Sequence, residues 1–112
     1  MSSDKSMIAI EEVVTIVSVR VTVAPSAIDE FFKYFKPAYD AVVAESECRF
    51  FTVGLDPKEP GAIFWTEGWT KDTEWFMSVQ FKKDYYKPYL EATEPMFVKE
   101  STYMSTFRIL YA

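Results

Sequence analysis

The segment Glu67–Tyr89, EGWTKDTEWFMSVQFKKDYYKPY, gathers two Trp, two Phe and three Tyr among charged residues. No histidine occurs anywhere in the 112 residues. Its absence removes the imidazole from Ser–His–Asp and Cys–His nucleophile pairs and from His-based zinc sites. A carboxylate is then the natural proton acceptor, and Glu67 is placed to be one. Period-two alternation puts Trp65, Glu67 and Trp69 on one face of a strand. If that face meets helices, Glu67 is a carboxyl among indoles, and burial raises its pKa toward neutrality, where it can act as a base. A second reading is purely structural: Glu67 pairs with Arg20 or Arg108, or accepts a Tyr or Trp hydrogen bond, and only holds the sheet together. Tyr34, Tyr39, Tyr85, Tyr86 and Tyr89 fall on helical segments, and Tyr85 and Tyr89 share a face with Phe81, with Tyr86 beside them. Their hydroxyls suit a phenolic or quinone oxygen; equally, they are amphipathic core with hydroxyls at the rim.

Composition narrows the field. Apolar residues make up 49% and aromatics 18%, too much for a disordered chain and what an apolar cavity or a large interface requires. Lys and Arg total 12 against 17 Asp and Glu, with no basic stripe, so nucleic acid is not an expected partner. No apolar run is long enough to span a bilayer, and the N-terminus lacks the pattern of a secretory signal. Cys48 stands alone, which rules out an intrachain disulfide. These features lead us to expect a cytoplasmic protein. The acidic groups DKS, EE, ESE and DPKE lack calcium-loop spacing, so no metal and no other cofactor is expected.

The elements that must position these residues are readable. Residues 1–12 are expected to form a flexible arm, and 13–112 a single domain. Val13–Val23 is a β-branched run with strand composition, apolar on one face and mixed on the other. A helix follows, with Ser26 as its expected cap and a stripe of Ile28, Phe31, Phe32, Phe35, Tyr39, Val42 and Val43, in which Pro37 should kink or restart it. Cys48–Leu55 and Ala62–Trp69 form a hairpin across the turn DPKEPG. Thr70 is expected to cap a short helix over Asp72–Val79, a longer one covers Lys82–Val98 with interruptions at Pro88 and Pro95, and Ser101–Tyr111 is the last strand. The order β-α-β-β-α-α-β predicts an α+β, ferredoxin-like fold: a four-stranded antiparallel sheet with helices on one face. Neither face of the first or last strand is polar enough to be simply wet, so a homodimer through sheet-to-sheet packing is expected.

Three segments carry a family resemblance. ESECRFF at Glu45–Phe51 is similar to an EPGC motif followed by an aromatic strand. EGWTKD at Glu67–Asp72 matches an E-x-W that closes a later strand and opens a helix. The segment SVQFKKDYYKPYLEATEPMF resembles HLxxPHFxxFLEALEPLF. In that order they resemble the antibiotic biosynthesis monooxygenase-like dimeric α/β-barrel family over about Val14 to Arg108. The resemblance implies a dimer with facing sheets and a ligand pocket in each protomer between sheet and helices. Family activities include cofactor-independent oxygenation of phenolic polycyclic polyketides or quinols, heme degradation and small-molecule isomerisation. A frequent family histidine falls near Ser78, and another is replaced within KKDYY. The strand-one Asn of heme-degrading relatives falls near the apolar Val19, and with no histidine to ligate iron heme degradation is not expected. Trp69 matches a Trp that those relatives place over their ligand. The candidate catalytic residues are therefore Glu67, Trp69 and Tyr86, and the candidate substrate-binding residues are Tyr34, Phe35, Trp65, Ser78, Phe81, Tyr85 and Tyr89. The expected activity is oxygenation of a phenolic or polyketide-type aromatic by O2 in secondary metabolism, with cofactor-free isomerisation or cyclisation, or non-catalytic ligand binding, as alternatives.

Overall fold

Strand β1 (Thr15–Thr22) is central, and the sheet is built around it. The computed structural model describes residues 12–98 and 102–111; most of the expected N-terminal arm, residues 1–11, lies outside the described residues. Helix α1 (Ile28–Val43) follows β1, and the hairpin of β2 (Cys48–Leu55) and β3 (Ala62–Trp69) comes next. Helices α2 (Thr73–Ser78) and α3 (Tyr86–Thr93) precede β4 (Tyr103–Arg108). The four strands run antiparallel in the order β2-β3-β1-β4, which is the ferredoxin-like arrangement of an α+β protein. Among the described residues no helix is long and apolar enough to cross a membrane.

The register fixes which side chains meet the helices. Thr15, Val17, Val19 and Val21 stand opposite Trp69, Glu67, Trp65 and Ile63 on β3, and this face is covered. β-Branched residues suit such a pleated, half-buried surface, which is why β1 forms here although it also carries Thr15, Ser18 and Thr22. The covering helices bury two groups of side chains. One joins Val21, Phe31, Phe35, Trp65 and Tyr89 with their neighbours. The other comprises Val17, Val42, Trp69 and Phe76.

Local chemistry moves several boundaries from the sequence expectation. Pro25 opens a 3₁₀ turn over Pro25–Ala27, so α1 starts behind Ala27 and Ser26 makes no capping bond. Pro37 lies inside α1, which continues through it. Asp72, not Thr70, caps α2 by accepting from the Trp75 backbone N–H at 2.9 Å, while the Thr70 hydroxyl donates to Glu47. The long helix expected over Lys82–Val98 is instead α3 flanked by 3₁₀ turns at Gln80–Lys82 and Glu94–Met96. Pro88 falls in the first turn of α3, where a missing N–H removes no helical bond, so it marks a start and not an interruption. Pro95 tightens the far end into 3₁₀ geometry.

Gly61 joins the hairpin turn to β3 with φ of 92°, and a Cβ there would meet the Val23 carbonyl oxygen at 2.1 Å. Gly61→Ala is therefore expected to destabilise the fold by about 1–3 kcal/mol. Urea unfolding should show a lower midpoint at unchanged slope.

Candidate functional site

A cavity of about 190 Å³ opens where the two buried groups meet. Val19, Val21, Trp65 and Glu67 form its sheet wall, and Phe76, Phe81, Tyr86, Tyr89, Leu90 and Phe97 its helical wall, with Glu94, Thr102 and Met104 toward the mouth. Bulky rings support both sides. Trp69, Phe76, Phe81 and Tyr86 follow one another with centroids 5.5, 6.0 and 5.5 Å apart. On the other side Phe35 packs 4.9 Å from Trp65 and 5.8 Å from Tyr89. Asp72 sets this arrangement locally, because capping α2 directly after β3 brings Trp75 and Phe76 back over Trp69.

Glu67 is the charged group in the wall that burial affects most; it is 6% exposed. The Trp69 indole N–H donates to its Oε1 at 2.8 Å. Removal from water pushes its carboxyl up to about 7, and the indoles of Trp69 and, more weakly, Trp65 oppose that rise. Arg20 does not pair with it, because β1 alternation turns Arg20 to the opposite sheet face. There it meets Glu59 and lies 5.0 Å from the Phe64 ring. Arg108 is exposed at the end of β4. Around Glu67, burial raises the other acids as well. The Tyr86 and Tyr89 hydroxyls are held above their ordinary range, and Cys48 rises to about 12, in each case chiefly by desolvation.

Five of the residues singled out from sequence share the cavity wall: Trp65, Glu67, Phe81, Tyr86 and Tyr89. Trp69 is fully buried behind Glu67 and reaches the cavity through that hydrogen bond. The other four lie elsewhere. Tyr85 turns its hydroxyl to Glu45 Oε2 at 2.7 Å. Phe35 is core packing and borders a shallower groove with Phe32, Lys36, Tyr39 and Val53. Tyr34 is half-buried, with Lys33 Nζ 5.6 Å from its ring centre. Ser78 is exposed and donates to the Glu74 carbonyl at 2.8 Å, one turn back in α2. Sequence reasoning missed Phe76, Leu90, Glu94 and Phe97 in the wall. Leu90 to Phe97 lie inside the LEATEPMF run already matched to the family, and that was the available signal. Among the described residues no three His, Cys, Asp or Glu side chains converge as a metal site. The arrangement supplies one buried carboxyl poised to exchange a proton near neutrality, the phenols of Tyr86 and Tyr89, and a largely apolar, aromatic enclosure.

No family model matches the sequence. A Pestalotiopsis microspora protein named as a putative monooxygenase is 41% identical over 83 residues, which cover 74% of this chain and 69% of that one. Among solved structures, a conserved protein from Methanosarcina mazei Go1 has TM-score 0.75 at 18% identity, over 87% of this chain and 93% of that chain. One titled a putative antibiotic biosynthesis monooxygenase, from Deinococcus radiodurans, has TM-score 0.74 at 14% identity, over 88% and 94%. At such identities the structural likenesses establish a shared fold.

Because the Glu67 carboxyl titrates higher in the folded chain than its ordinary value of 4.5, the folded state binds more protons between about 4.5 and 7. Its contribution to stability is complete below that window and is lost as pH rises through it, by roughly 3 kcal/mol at most. Urea melts across pH 4.5 to 8 should show this decline in the natural chain, and Glu67→Gln should flatten it.

Proposed function

The chain belongs to the antibiotic biosynthesis monooxygenase-like family, and from that premise we propose that it oxygenates a small aromatic substrate in secondary metabolism without a bound cofactor. The observation that carries this reading is Glu67: a buried carboxyl in the wall of an aromatic cavity, titrating near 7. Above that pH it is a base in a largely apolar, aromatic site. It takes a proton from a phenol or from an activated ring CH₂, and leaves an electron-rich anion. That anion donates electrons to O2 and forms a C–O bond, giving a hydroperoxide once the proton returns. Loss of water then leaves a carbonyl: the CH₂ carbon is oxidised, one oxygen atom stays on it, and the other departs with both hydrogens. The protein contributes orientation, exclusion of water and a donor for the developing oxyanion, a role that suits Tyr86.

Cavity size bears on the substrate. An apolar cavity of roughly 150 Å³ accommodates benzene. The volume here, about 190 Å³, suits one substituted ring or two fused rings, with larger systems projecting through the mouth past Glu94 and Met104. Oxygen uptake against quinols, naphthols and anthrones is the direct test. The rate is expected to fall as pH drops through about 7, as the base becomes protonated. Glu67→Gln is expected to lower it by about 10²–10⁴-fold while ligand still quenches Trp fluorescence. Quenching without oxygen uptake across the panel would overturn oxygenation and leave isomerisation or simple binding.

The working unit in this reading is a homodimer. The sheet face away from the helices exposes Val14 at 36%, Tyr103 at 54% and Phe107 at 52%, and a second copy would cover them. Light scattering is expected to give twice the 13.0 kDa of one chain, and Phe107→Asp to shift the mass toward one chain. A single-chain mass for the natural protein at working concentration would remove the dimer from the proposal.

A further inference from the structure

A polar cluster behind the cavity wall has no role so far. Gln80 is fully buried in the 3₁₀ turn that links α2 to α3. Its Nε2 lies 2.6 Å from the Tyr85 hydroxyl and 2.9 Å from the Tyr86 hydroxyl. The Tyr85 hydroxyl lies 2.7 Å from Glu45 Oε2, and Lys83 Nζ lies 2.8 Å from that same oxygen.

The direction of every bond in this chain follows from its outer end. The Lys83 ammonium and the Tyr85 hydroxyl, in that order, hold the Glu45 carboxyl below its usual range, so Glu45 is ionised and can only accept. The Tyr85 proton therefore goes to Glu45. The Tyr85 oxygen then presents lone pairs to Gln80, which must face it with the amide nitrogen. That nitrogen carries two protons, one for each phenol oxygen, so Tyr86 also accepts. Among the described residues this orientation leaves Gln80 Oε1 buried without a partner, a cost that the bonds to the two phenols offset. The Tyr86 proton is then left to seek an acceptor. The Tyr85 oxygen is within reach and keeps a second lone pair for this proton; a ligand oxygen in the cavity that Tyr86 lines is the competing acceptor, and toward either one Tyr86 donates.

We propose that Gln80 is a positioning residue that fixes Tyr86 as a hydrogen-bond donor into the cavity, so that the site selects ligands presenting a carbonyl oxygen there. The preferred ligand is the keto form of a mono- or bicyclic aromatic. This rests on the cavity being the ligand site and not on the oxygen chemistry.

The test compares 1-indanone with indane, which differ by a carbonyl in place of a methylene. The full chain is titrated with each, and binding is followed by NMR at the Trp65 and Trp69 indole N–H signals. The natural chain is expected to prefer the ketone by about threefold to tenfold, the worth of one neutral hydrogen bond. Tyr86→Phe should abolish the preference. Gln80→Glu should abolish it too, because the new carboxylate accepts the Tyr86 proton, and indane affinity should stay within about twofold. Combining the two substitutions should cause no further loss of preference. If Gln80 only fills the core, Gln80→Glu and Gln80→Met lower the melting temperature but keep the ketone preference, and the proposal fails. It fails equally if the natural chain shows no preference or binds neither compound. A ketone preference that depends on Gln80, in a protein that consumes no oxygen with any substrate, upholds this inference and sinks the oxygenase.

Discussion

The hydrogen bond from the Trp69 indole to Glu67 Oε1, 2.8 Å long and within one strand, is the constraint on which the site depends. A carboxyl removed from water needs a partner, and an indole N–H can only donate. Trp69 therefore gives Glu67 a neutral partner and no compensating charge. A guanidinium in that place would have held the carboxyl ionised and drawn its pKa down. With an indole the desolvation effect dominates, and the carboxyl comes to rest near 7. The pairing is local, because residues two apart on a strand share a face, so it is present as soon as β3 joins β1.

The cavity follows from how the helices divide the core. One buried group gathers around α1 and the other around α2, and Val19 packs against both. Rings are rigid, and two stacks of them converge without interdigitating as aliphatic side chains would. What is left between them is the space that Glu67 faces. The two 3₁₀ turns flanking α3 matter for the same reason. They let a short helix place Tyr86 and Tyr89 over the opening, where a continuous helix through Lys82–Val98 would have carried its residues along one axis.

Much of this was legible in the residues. The bounds of β2 and β3 are those of their composition and turn chemistry, and the alternation in β3 put Trp65, Glu67 and Trp69 together before any helix was placed. Helical periodicity says less. It assigns residues to a face but not the direction in which that face leans, so Tyr34 and Phe35 sit on a correctly read helix and yet outside the cavity wall. Ser78 was singled out by a position in a motif; α2 ends there, and the side chain turns back to its own backbone. Gln80 carried no signal, because its importance comes from two phenols and a distant carboxylate at Glu45 that only the folded chain brings together.

One physical cause separates the shifted acids in and behind the cavity wall. Desolvation raises Glu67, Cys48, Tyr85, Tyr86 and Tyr89 alike, but they start from different places. Glu67 starts well below neutrality and is carried up to about 7. The Cys48 thiol and the Tyr85 hydroxyl start above neutrality and are carried further away, each to about 12, and Tyr86 and Tyr89 move in the same direction. The burial that makes a carboxyl able to gain and lose a proton at neutral pH thus stops its neighbours from doing so. Proton acceptance then falls to Glu67, while the phenols keep their protons and can serve as hydrogen-bond donors. A division of labour between base and donor emerges from a shared environment, with no histidine needed to supply either role.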